Sequence, residues 1–389
     1  MWTSKRMERI KPSGTIAMAE KSRQMERSGV KVYHLDVGEP DFDTPEHIKE
    51  AAVEALRNGF THYTSSRGIL ELREAISEDL KARGLEADPA KEIIVTPGGK
   101  HAIYCACLAT LNPNEEVLVL APTWPTHFQC VEMAEARPIE VPCGQDYRLD
   151  EEILKSCITK KTRMILISSP NNPTGGLLEI GDLKVIADLS IDYDLLVLSD
   201  EIYDRIVYDD LKIRSIASFD GMKDRTIVIN GFSKTYAMTG WRLGYACAHR
   251  DIIEAMDRIQ QSTTTCPASF VQKAGVAALK GPQDSVTRMI REYDYRRRFI
   301  VDVLNSIPGV HCVMPRGAFY VFPDFSRLRI PSYELSNRLL LEEKVSTTPG
   351  IEFGKCGEGH IRLSYAVGLD VIGEALKRIK EFVIRCQKN

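Results

Sequence analysis

Four runs of consecutive apolar residues most constrain how this chain can fold. They span residues 117–120, 164–168, 195–199 and 226–229. Strands that lack alternating polar residues are typical of parallel sheets covered on both faces, and segments with helical periodicity separate these runs. The chain is therefore predicted to be an α/β protein, with a largely parallel sheet between two layers of helices.

Polar residues follow the carboxyl ends of three of these predicted strands. Asn172 follows the second run, Asp200 the third, and Ser233 with Lys234 the fourth. Ligands of open α/β sheets bind outside the carboxyl ends of the strands. These four residues are therefore expected to lie close together and to mark the functional site.

Lys234 belongs to a loop of mainly small and polar residues, 230–242, between two apolar runs. An unpaired buried ammonium is costly, and both desolvation and a neighbouring cation lower the pKa of a lysine, which produces an amine able to form a Schiff base. Ser233 and Arg242 could together hold a phosphate, the arginine by a forked contact. The loop thus suggests pyridoxal 5′-phosphate, although by itself it is also compatible with a surface segment that carries ordinary basic residues.

A pair of glycines, Gly98 and Gly99, stands between an apolar run at 93–95 and a predicted helix. A strand that leads through glycines into a helix presents backbone N–H groups and the positive end of the helix dipole to a phosphate. A plain tight turn explains the same pattern. The glycine pair therefore supports the prediction from the lysine loop without establishing it.

Composition and charge exclude several classes of protein. The 389 residues allow a large core and two domains, and a net charge of −3 offers no basic surface to nucleic acid. No apolar run approaches the length of a membrane span, the charged N-terminus has no signal-peptide apolar region, and the histidines lack metal-ligand spacing. We therefore expect a cytoplasmic protein without a metal and without nucleic-acid or membrane partners.

The C-terminal part of the chain differs from the region of apolar runs. A long helix is predicted at 284–306, and its basic run, Arg296 to Arg298, is interpreted as a solvated face. Short strands and helices are predicted at 310–314, 318–322, 333–343, 360–365 and 371–384. The predicted organisation is an N-terminal arm with part of a small domain at 1–45, a large cofactor-binding domain at 46–285, and a small α+β domain at 286–389.

Seven ordered motifs resemble those of one enzyme family. In chain order they are GEPDFDTP, TPGGK, SSPNNPTG, SDEIYDR, GFSKTYAMTGWRLGYA, PRGAFYVFPD and GHIRLSYA. With them the chain resembles the class I/II aminotransferases, pyridoxal-phosphate enzymes of fold type I, and most of all their bacterial and archaeal aspartate aminotransferase branch. The match runs from about Lys11 to the C-terminus. The resemblance implies a mostly parallel seven-stranded sheet and a homodimer with shared active sites.

The resemblance assigns catalytic chemistry to three residues. Lys234 would carry the cofactor as a Schiff base and, once an incoming amino acid has freed it, would move the proton from the substrate Cα. Asp200 would pair with the pyridinium nitrogen and keep it charged, although an aspartate at a strand end is also typical of a helix cap. Tyr203 would donate a hydrogen bond to the phenolate oxygen of the ring.

The same resemblance implies which further residues hold the cofactor. Asn172 would contact the ring oxygen and Trp124 would stack on the ring; the alternatives are a turn residue and simple core packing. The phosphate would lie on the backbone of the glycine pair, with Ser233 and Arg242. Tyr63 would reach the phosphate of the neighbouring subunit, and otherwise it is an exposed loop aromatic.

Arg362 and Gly38 are the residues that the resemblance assigns to the α-carboxylate of the substrate. Arg362 would bind it through two parallel hydrogen bonds, and Gly38 would add a backbone contact. Because Arg362 lies in the predicted small domain, this contact implies closure on substrate binding, which would exclude water from the site.

Recognition of the substrate side chain is implied for Lys100, Ser13 and Thr15. They match positions that bind the distal carboxylate in the acidic-substrate branch, although Lys100 could instead support only the cofactor. At the position of Arg67 the family often has a neutral residue. Arg67 is interpreted as a solvated loop charge, and a second anion contact across the dimer is the alternative. The predicted reaction is ping-pong amino transfer from aspartate or glutamate to 2-oxoglutarate or oxaloacetate.

Other functions remain open at this point. Prephenate, alanine and aromatic amino acids are alternative substrates within the same branch. A carbon–sulfur lyase is an alternative reaction, because some lyases share the lysine, aspartate and arginine set. A regulator built on this fold would need a DNA-binding module, and the chain shows no helix-turn-helix extension.

Overall fold

The structure is a computed structural model that describes residues 2, 4, 7, 14–144 and 146–388. Its strands are β1 (Tyr33–His34), β2 (Ile93–Thr96), β3 (Glu116–Ala121), β4 (Arg137–Pro142), β5 (Thr162–Ser168), β6 (Leu196–Asp200), β7 (Thr226–Gly231), β8 (Gly244–Cys247), β9 (Tyr320–Val321), β10 (Val345–Ser346), β11 (Thr348–Pro349) and β12 (Ile361–Ser364). Its α-helices are α1 (Gly14–Arg27), α2 (Glu46–Arg57), α3 (Leu70–Ala82), α4 (Gly99–Thr110), α5 (Pro125–Met133), α6 (Glu151–Ser156), α7 (Ile180–Asp192), α8 (Arg250–Thr263), α9 (Ser269–Lys280), α10 (Asp284–Asn305), α11 (Ser332–Arg338) and α12 (Leu369–Lys388).

Seven strands form the central sheet, in the order β2-β8-β7-β6-β5-β3-β4. The four apolar runs of the sequence form β3, β5, β6 and β7, which are parallel to their neighbours in that group. β8 runs antiparallel to both β2 and β7, because the loop that joins β7 to β8 contains no helix that could carry the chain back across the sheet. The prediction of a mostly parallel seven-stranded sheet is confirmed.

Helices cover both faces of this sheet, which explains why its strands are apolar throughout. Val197 and Leu198 are consecutive in β6 and both are fully buried. Leu198 packs with residues of α4, α5 and α8 such as Ile103, whereas Val197 packs with residues of α7 such as Ile186. Since successive side chains of a strand point to opposite faces, each face requires its own layer of apolar side chains.

A second, smaller set of elements brings further residues to the carboxyl edge of the central sheet. β11, β12 and β9 form a three-stranded antiparallel sheet, in which Arg362 lies opposite Thr348 and Ser364 lies opposite Tyr320. β1 pairs in parallel with β10, and the N–H of Leu35 donates to the Ser346 carbonyl at 2.9 Å. The segment after α1 is therefore held by the C-terminal third of the chain.

Some predicted short elements differ in the structure. The strand expected at 31–37 is reduced to the two residues of β1, because β10, the strand with which it pairs, is itself only two residues long. Segment 310–314 contributes an isolated bridge between His311 and Asp324. Segment 333–343 is the helix α11 followed by a π-helical turn, Leu339–Glu343.

The interpretation of Arg296 to Arg298 as a solvated face is wrong. The side chains of Arg296 and Arg297 are 7% and 0% exposed, and only Arg298 remains largely in water, at 54%. Arg296 donates to both carboxylate oxygens of Asp41 at 2.9 Å, and Arg297 donates to both oxygens of Asp209 at 2.8 Å. These carboxylates compensate the charges that packing of α10 removes from water.

None of the described helices combines the length and the apolar character that crossing a membrane requires.

Candidate functional site

A cleft of about 440 Å³ opens beyond the carboxyl ends of β5, β6 and β7. Its wall combines residues from the central sheet with residues from β9 and β12. Most residues predicted for the site line it, namely Gly38, Gly99, Lys100, Trp124, Asn172, Asp200, Tyr203, Ser233, Lys234, Arg242 and Arg362. The carboxyl ends of parallel strands meet at one edge of a sheet, and this brings residues from distant parts of the chain together.

Lys234 is half-buried in the loop after β7 and extends into the cleft. Its Nζ donates a hydrogen bond to the carbonyl oxygen of Gly38 at 2.5 Å. The pKa of Lys234 is lowered to about 8, mainly by burial and also by the positive charges of Arg362 and Arg242, while the charge of Glu39 opposes this shift. The amine can therefore lose its proton near neutral pH, as a nucleophile or a base must.

Arg242 lies directly against the turn that begins α4. Gly98 has a φ of +89°, and a Cβ added there would be 2.5 Å from Nη2 of Arg242. A Cβ added to Gly244 of β8 would be 2.4 Å from the backbone nitrogen of Gly99, so β8 also packs closely on this turn. Arg242 itself has a φ of +55°, a left-handed conformation that is uncommon outside glycine and recurs at functional sites.

The turn and its surroundings form a cradle suited to an anion. The N-terminus of α4 supplies the positive end of a helix dipole, Arg242 supplies a cation, and the buried Ser233, which also lines the cleft, supplies a hydroxyl. Glycines at 98 and 244 are required because any larger residue would collide with the cradle. The residues present therefore fit a phosphate group beside the amine of Lys234.

Asp200, the last residue of β6, is held by a histidine that sequence reasoning missed. Nε2 of the fully buried His127 lies 2.9 Å from Oδ2 of Asp200, and Nδ1 of His127 lies 2.8 Å from the hydroxyl oxygen of Thr123. The other oxygen of Asp200 accepts from the backbone N–H of Ile202 at 3.2 Å. A histidine three residues after Trp124, one helical turn away, was the signal that could have identified it.

Tyr203 is paired with a second tyrosine, Tyr320 of β9, which sequence reasoning also missed. Their hydroxyl oxygens are 2.8 Å apart, both side chains line the cleft, and burial raises the pKa of both phenols. A Cβ added to Gly38 would be 2.3 Å from the Tyr320 hydroxyl oxygen, so only glycine allows this approach. The motif PRGAFYVFPD contains Tyr320, but its spacing did not reveal the contact.

Arg362 of β12 is 4% exposed, and its hydrogen-bond acceptors among the described residues are all neutral. Its Nη1 donates to Oδ1 of Asn172 at 3.1 Å, and its Nη2 donates to the Asp36 carbonyl at 2.5 Å and to the Thr348 hydroxyl at 3.2 Å. Its Nε is buried without a hydrogen-bond partner. A buried cation that lacks a carboxylate is costly, and this one borders an open cleft.

Lys100, in the first turn of α4, also lines the cleft. Its Nζ lies 4.9 Å from the ring centroid of Trp124, within the range of a cation–π contact. Burial lowers the pKa of Lys100, and the charge of Arg242 adds to that effect. Lys100 thus adds a further cationic group to the cleft that Lys234, Arg242 and Arg362 line.

Two of the residues considered for the site, Tyr63 and Arg67, do not line the cleft, and two others cannot be placed in relation to it. Tyr63 is 87% exposed and does not line the cleft of its own chain. Ser13 lies outside the described residues, and the side chain of Thr15 also does. Arg67 pairs with Asp257 of α8 at 3.0 Å and its side chain is 20% exposed, so its interpretation as a solvated charge is wrong.

Comparisons with known proteins agree on one family. The sequence model of the family described as "Aminotransferase class I and II" matches residues 30–379. The chain is 46% identical to an aspartate aminotransferase of Pyrococcus abyssi, over 93% of this chain and 94% of that protein. It is 43% identical to aromatic-amino-acid aminotransferase 2 of Thermococcus litoralis, over 98% of each.

Solved structures give the same result. The aspartate aminotransferase of Thermus thermophilus with maleate superposes with a TM-score of 0.93 at 37% identity, covering 98% of this chain and 99% of that one. The aromatic aminotransferase of Pyrococcus horikoshii superposes with a TM-score of 0.90 at 44% identity, covering 94% of this chain and 99% of that one.

Proposed function

Because the chain belongs to the class I and II aminotransferases, we propose that it exchanges an amino group between an L-amino acid and a 2-oxo acid with pyridoxal 5′-phosphate as its cofactor. The observation that carries this proposal is the position of Lys234. Its amine has a pKa of about 8, which the charges of Arg362 and Arg242 help to lower. It lines the same cleft as Arg242 of the anion cradle and as Arg362, whose Nε has no hydrogen-bond partner among the described residues.

Each part of the cofactor has a matching group in the cleft. The phosphate would be held by the backbone of Gly98 and Gly99 with Ser233 and Arg242. The remaining proposed contacts are made by side chains that surround the amine of Lys234, namely Asp200 at the pyridine nitrogen, Tyr203 and Asn172 at the ring oxygen, and Trp124 on the ring face. When bound, the cofactor supplies an aldehyde for amine exchange and a ring that withdraws electrons from the substrate Cα.

Lys234 acts as the base in this proposal. Its depressed pKa lets the neutral amine accept the proton of the substrate Cα, and the resulting ammonium can return a proton later in the cycle. Asp200 must remain ionised to pair with a protonated ring nitrogen. His127 orients the Asp200 carboxylate through the 2.9 Å contact, and Thr123 orients His127 in turn.

Arg362 binds the α-carboxylate of the substrate. Stacking on the rings of Tyr320 and Phe353, at 4.6 and 5.1 Å from their centroids, holds its guanidinium plane in place. A carboxylate would supply the opposite charge that its described neighbours do not, by charge-assisted hydrogen bonds. Closure of the small domain on this contact would exclude water from the reacting atoms.

Tyr63 is proposed to act in the neighbouring subunit. It stands 87% exposed on a loop and makes no contact with the cleft of its own chain. An exposed aromatic with a polar tip is enriched at protein interfaces. We therefore propose a homodimer in which Tyr63 of each subunit reaches the phosphate cradle of the other.

The proposed domain division follows the sheets. Residues 46–285 would form the large cofactor-binding domain around the seven-stranded sheet, and 286–389 the small domain around β9, β11 and β12. Residues 1–45 would comprise the arm and part of the small domain, which the pairing of β1 with β10 supports.

Aspartate and glutamate are the proposed amino donors, with 2-oxoglutarate and oxaloacetate as acceptors. Lys100 supplies a second cation in the cleft that Arg362 lines, and a substrate with two carboxylates requires two such groups. Relatives described as aspartate aminotransferases, one of them with maleate, support this choice. Aromatic amino acids are a second candidate, because Trp124, Ile103 and Ile202 also line the cleft and an aromatic-amino-acid relative is similarly close.

A panel of amino donors, assayed with wild type and with Lys100→Gln, tests this proposal. We expect kcat/KM for aspartate and glutamate to fall about 10–100-fold in Lys100→Gln, since a charged hydrogen bond contributes about 1.5–3 kcal/mol. Phenylalanine should be unaffected, and Lys155→Gln, an exposed change on α6, serves as the matched control. Equal losses for all donors would contradict the assignment of Lys100, and release of ammonia and pyruvate from cysteine without a 2-oxo acid would favour a lyase.

A further inference from the structure

We infer that Tyr320 is a positioning residue that directs the hydroxyl proton of Tyr203 into the cleft and couples it to the carboxylate-binding groups. This inference rests on the proposed function, in which Tyr203 donates a hydrogen bond to the ring oxygen of the cofactor. It concerns a residue that no motif argument assigned. Tyr320 would not touch the reacting atoms itself, but would act through Tyr203.

The two phenols form a closed pair. Their oxygens are 2.8 Å apart, which is the usual length of an O–H···O hydrogen bond. Tyr203 is 3% exposed and Tyr320 is 1% exposed, and their rings meet edge to face with centroids 5.8 Å apart. Burial raises the pKa of both groups, so both keep their protons at neutral pH.

Either phenol could donate in this pair, and proton counting shows what each direction of the bond would do. Each phenol has one proton, and only one of the two O–H groups can point along the line between the oxygens. If Tyr320 donates, the proton of Tyr203 is available to an acceptor in the cleft. A hydroxyl that accepts a hydrogen bond is also a stronger donor, because hydrogen bonds in a chain polarise one another.

The ring of Tyr320 is held so that its hydroxyl cannot turn away. Residue 320 is paired with Ser364 in the antiparallel sheet, and its ring lies against the guanidinium of Arg362, 4.6 Å from Cζ to centroid. The backbone of Gly38 passes so close that a Cβ there would be 2.3 Å from the Tyr320 oxygen. The hydroxyl is thus fixed between Gly38 and Tyr203.

This arrangement joins two functions of the cleft. Arg362 and Gly38 are the groups proposed for the substrate α-carboxylate, and Tyr203 is proposed for the cofactor ring. Tyr320 contacts all three. Movement of Arg362 or Gly38 when a carboxylate binds would therefore reach the Tyr203 hydroxyl through a single side chain.

A second tyrosine pair provides a matched control. The hydroxyl of Tyr365 lies 3.2 Å from that of Tyr208, and both residues are buried among the same small-domain elements. The carbonyl oxygen of Ala318 accepts hydrogen bonds from both phenols, and neither phenol lines the cleft. Tyr365→Phe thus removes a buried tyrosine hydroxyl without altering the site.

The experiment follows the absorbance of the cofactor bound to Lys234 as a function of pH in the holoenzyme. A hydrogen-bond donor to the ring oxygen of the cofactor favours the ionised form of that oxygen. A weaker donor therefore raises the pH at the midpoint of the absorbance change. We expect Tyr320→Phe to raise the midpoint by about 0.3–1 pH unit and to lower kcat/KM about 3–10-fold, from the usual contribution of one hydrogen bond. Tyr203→Phe should raise the midpoint further, the double variant should equal Tyr203→Phe alone, and Tyr365→Phe should leave it unchanged.

Several results would overturn the inference. If Tyr203→Phe raises the midpoint but Tyr320→Phe does not, or if the two shifts add, the tyrosines are not coupled and the proposed role of Tyr203 stands. If Tyr203→Phe has no effect, the proposed role of Tyr203 and the coupling both fail. Replacement of Tyr320 by 3-fluorotyrosine keeps the fold and makes a stronger donor, so it should lower the midpoint; a rise or no shift would count against the inference.

Discussion

Arg362 and Arg297 are two buried arginines whose partners differ in charge. The side chain of Arg297 is 0% exposed, and its guanidinium donates to both oxygens of Asp209 at 2.8 Å and to Asp294 at 2.8 Å. Arg362 is 4% exposed, and its acceptors among the described residues are an amide oxygen, a carbonyl and a hydroxyl. One guanidinium is neutralised within the protein, whereas the other is not.

The difference separates a structural role from a binding role. A buried ion pair resists the loss of either partner, because the remaining charge is left uncompensated. A buried cation without a carboxylate costs stability, and the free Nε of Arg362 beside an open cleft supports the proposal that a ligand supplies the compensating anion. Burial alone does not distinguish the two arginines; the partners do.

The largest expected effect tests Arg362. Arg362→Gln should lower kcat/KM for every amino donor about 100–1000-fold, since truncating one side of a buried charged pair costs about 2–5 kcal/mol. The free energy of unfolding of the apoprotein, measured in urea, should change by less than about 1 kcal/mol or rise, because an uncompensated charge is removed. The kcat/KM of Arg362→Lys, which keeps the charge but loses the two parallel hydrogen bonds of the guanidinium, should lie between the values of wild type and Arg362→Gln. Wild-type kcat/KM in Arg362→Gln would exclude the carboxylate role.

Arg297 should show the opposite pattern. Arg297→Met should lower the free energy of unfolding by about 2–4 kcal/mol, because the Asp209 and Asp294 carboxylates lose the cation that they surround. Activity of the folded variant should stay within about threefold of wild type, less than the tenfold change that 1.4 kcal/mol represents. Urea unfolding and steady-state kinetics at a permissive temperature measure both.

Arg298 is the matched control for that change. It contacts the same two carboxylates, at 2.6 and 3.2 Å, but its side chain is 54% exposed. Arg298→Met should therefore cost less than about 1 kcal/mol, as exposed pairs do. Equal losses in the two variants would show that burial of Arg297 contributes nothing beyond its contacts.

The smallest expected effect links Arg362 to Lys234. The pKa of Lys234 is lowered to about 8, first by burial and next by the charge of Arg362, so Arg362→Gln should raise it. The rate of reaction of Lys234 with an amine-specific reagent in the apoprotein, followed by peptide mass spectrometry, measures that pKa. Arg297→Met should leave the pKa of Lys234 unchanged. An unchanged or lower pKa of Lys234 in Arg362→Gln would contradict the effect of the Arg362 charge on Lys234.

The same pKa predicts a dependence of stability on pH. Between about pH 8 and 10.5 the unfolded chain holds the Lys234 proton more tightly than the folded one. The stability of the apoprotein should therefore rise with pH across this window through Lys234, and the destabilising effect is fully present below it. Lys234→Ala should abolish this pH-dependent contribution to stability, and it should also abolish turnover. The difference between the free energies of unfolding of wild type and Lys234→Ala, measured across this pH range, isolates the contribution of Lys234.

Local pattern predicted the sheet well and the surroundings of the charges poorly. Val197 and Leu198 are apolar because two layers of helices require it, and such a requirement is visible in a single stretch of sequence. The basic run that contains Arg297 was interpreted as solvated because the carboxylate of Asp209 lies 88 positions away along the chain. Arg67 was misread for the same reason, since Asp257 is 190 positions away.

Apolar runs and the polar residues after them are local features, so the α/β architecture and the strand ends at which Asn172, Asp200 and Lys234 stand can be predicted from the sequence. Which groups meet at those strand ends is set by packing. The pairs of Tyr203 with Tyr320 and of Asp200 with His127 depend on how separate elements pack, and so do the neutral acceptors that the described residues offer to Arg362. No periodicity along the chain records such contacts, since hydrogen-bond partners far apart in sequence are set by packing alone.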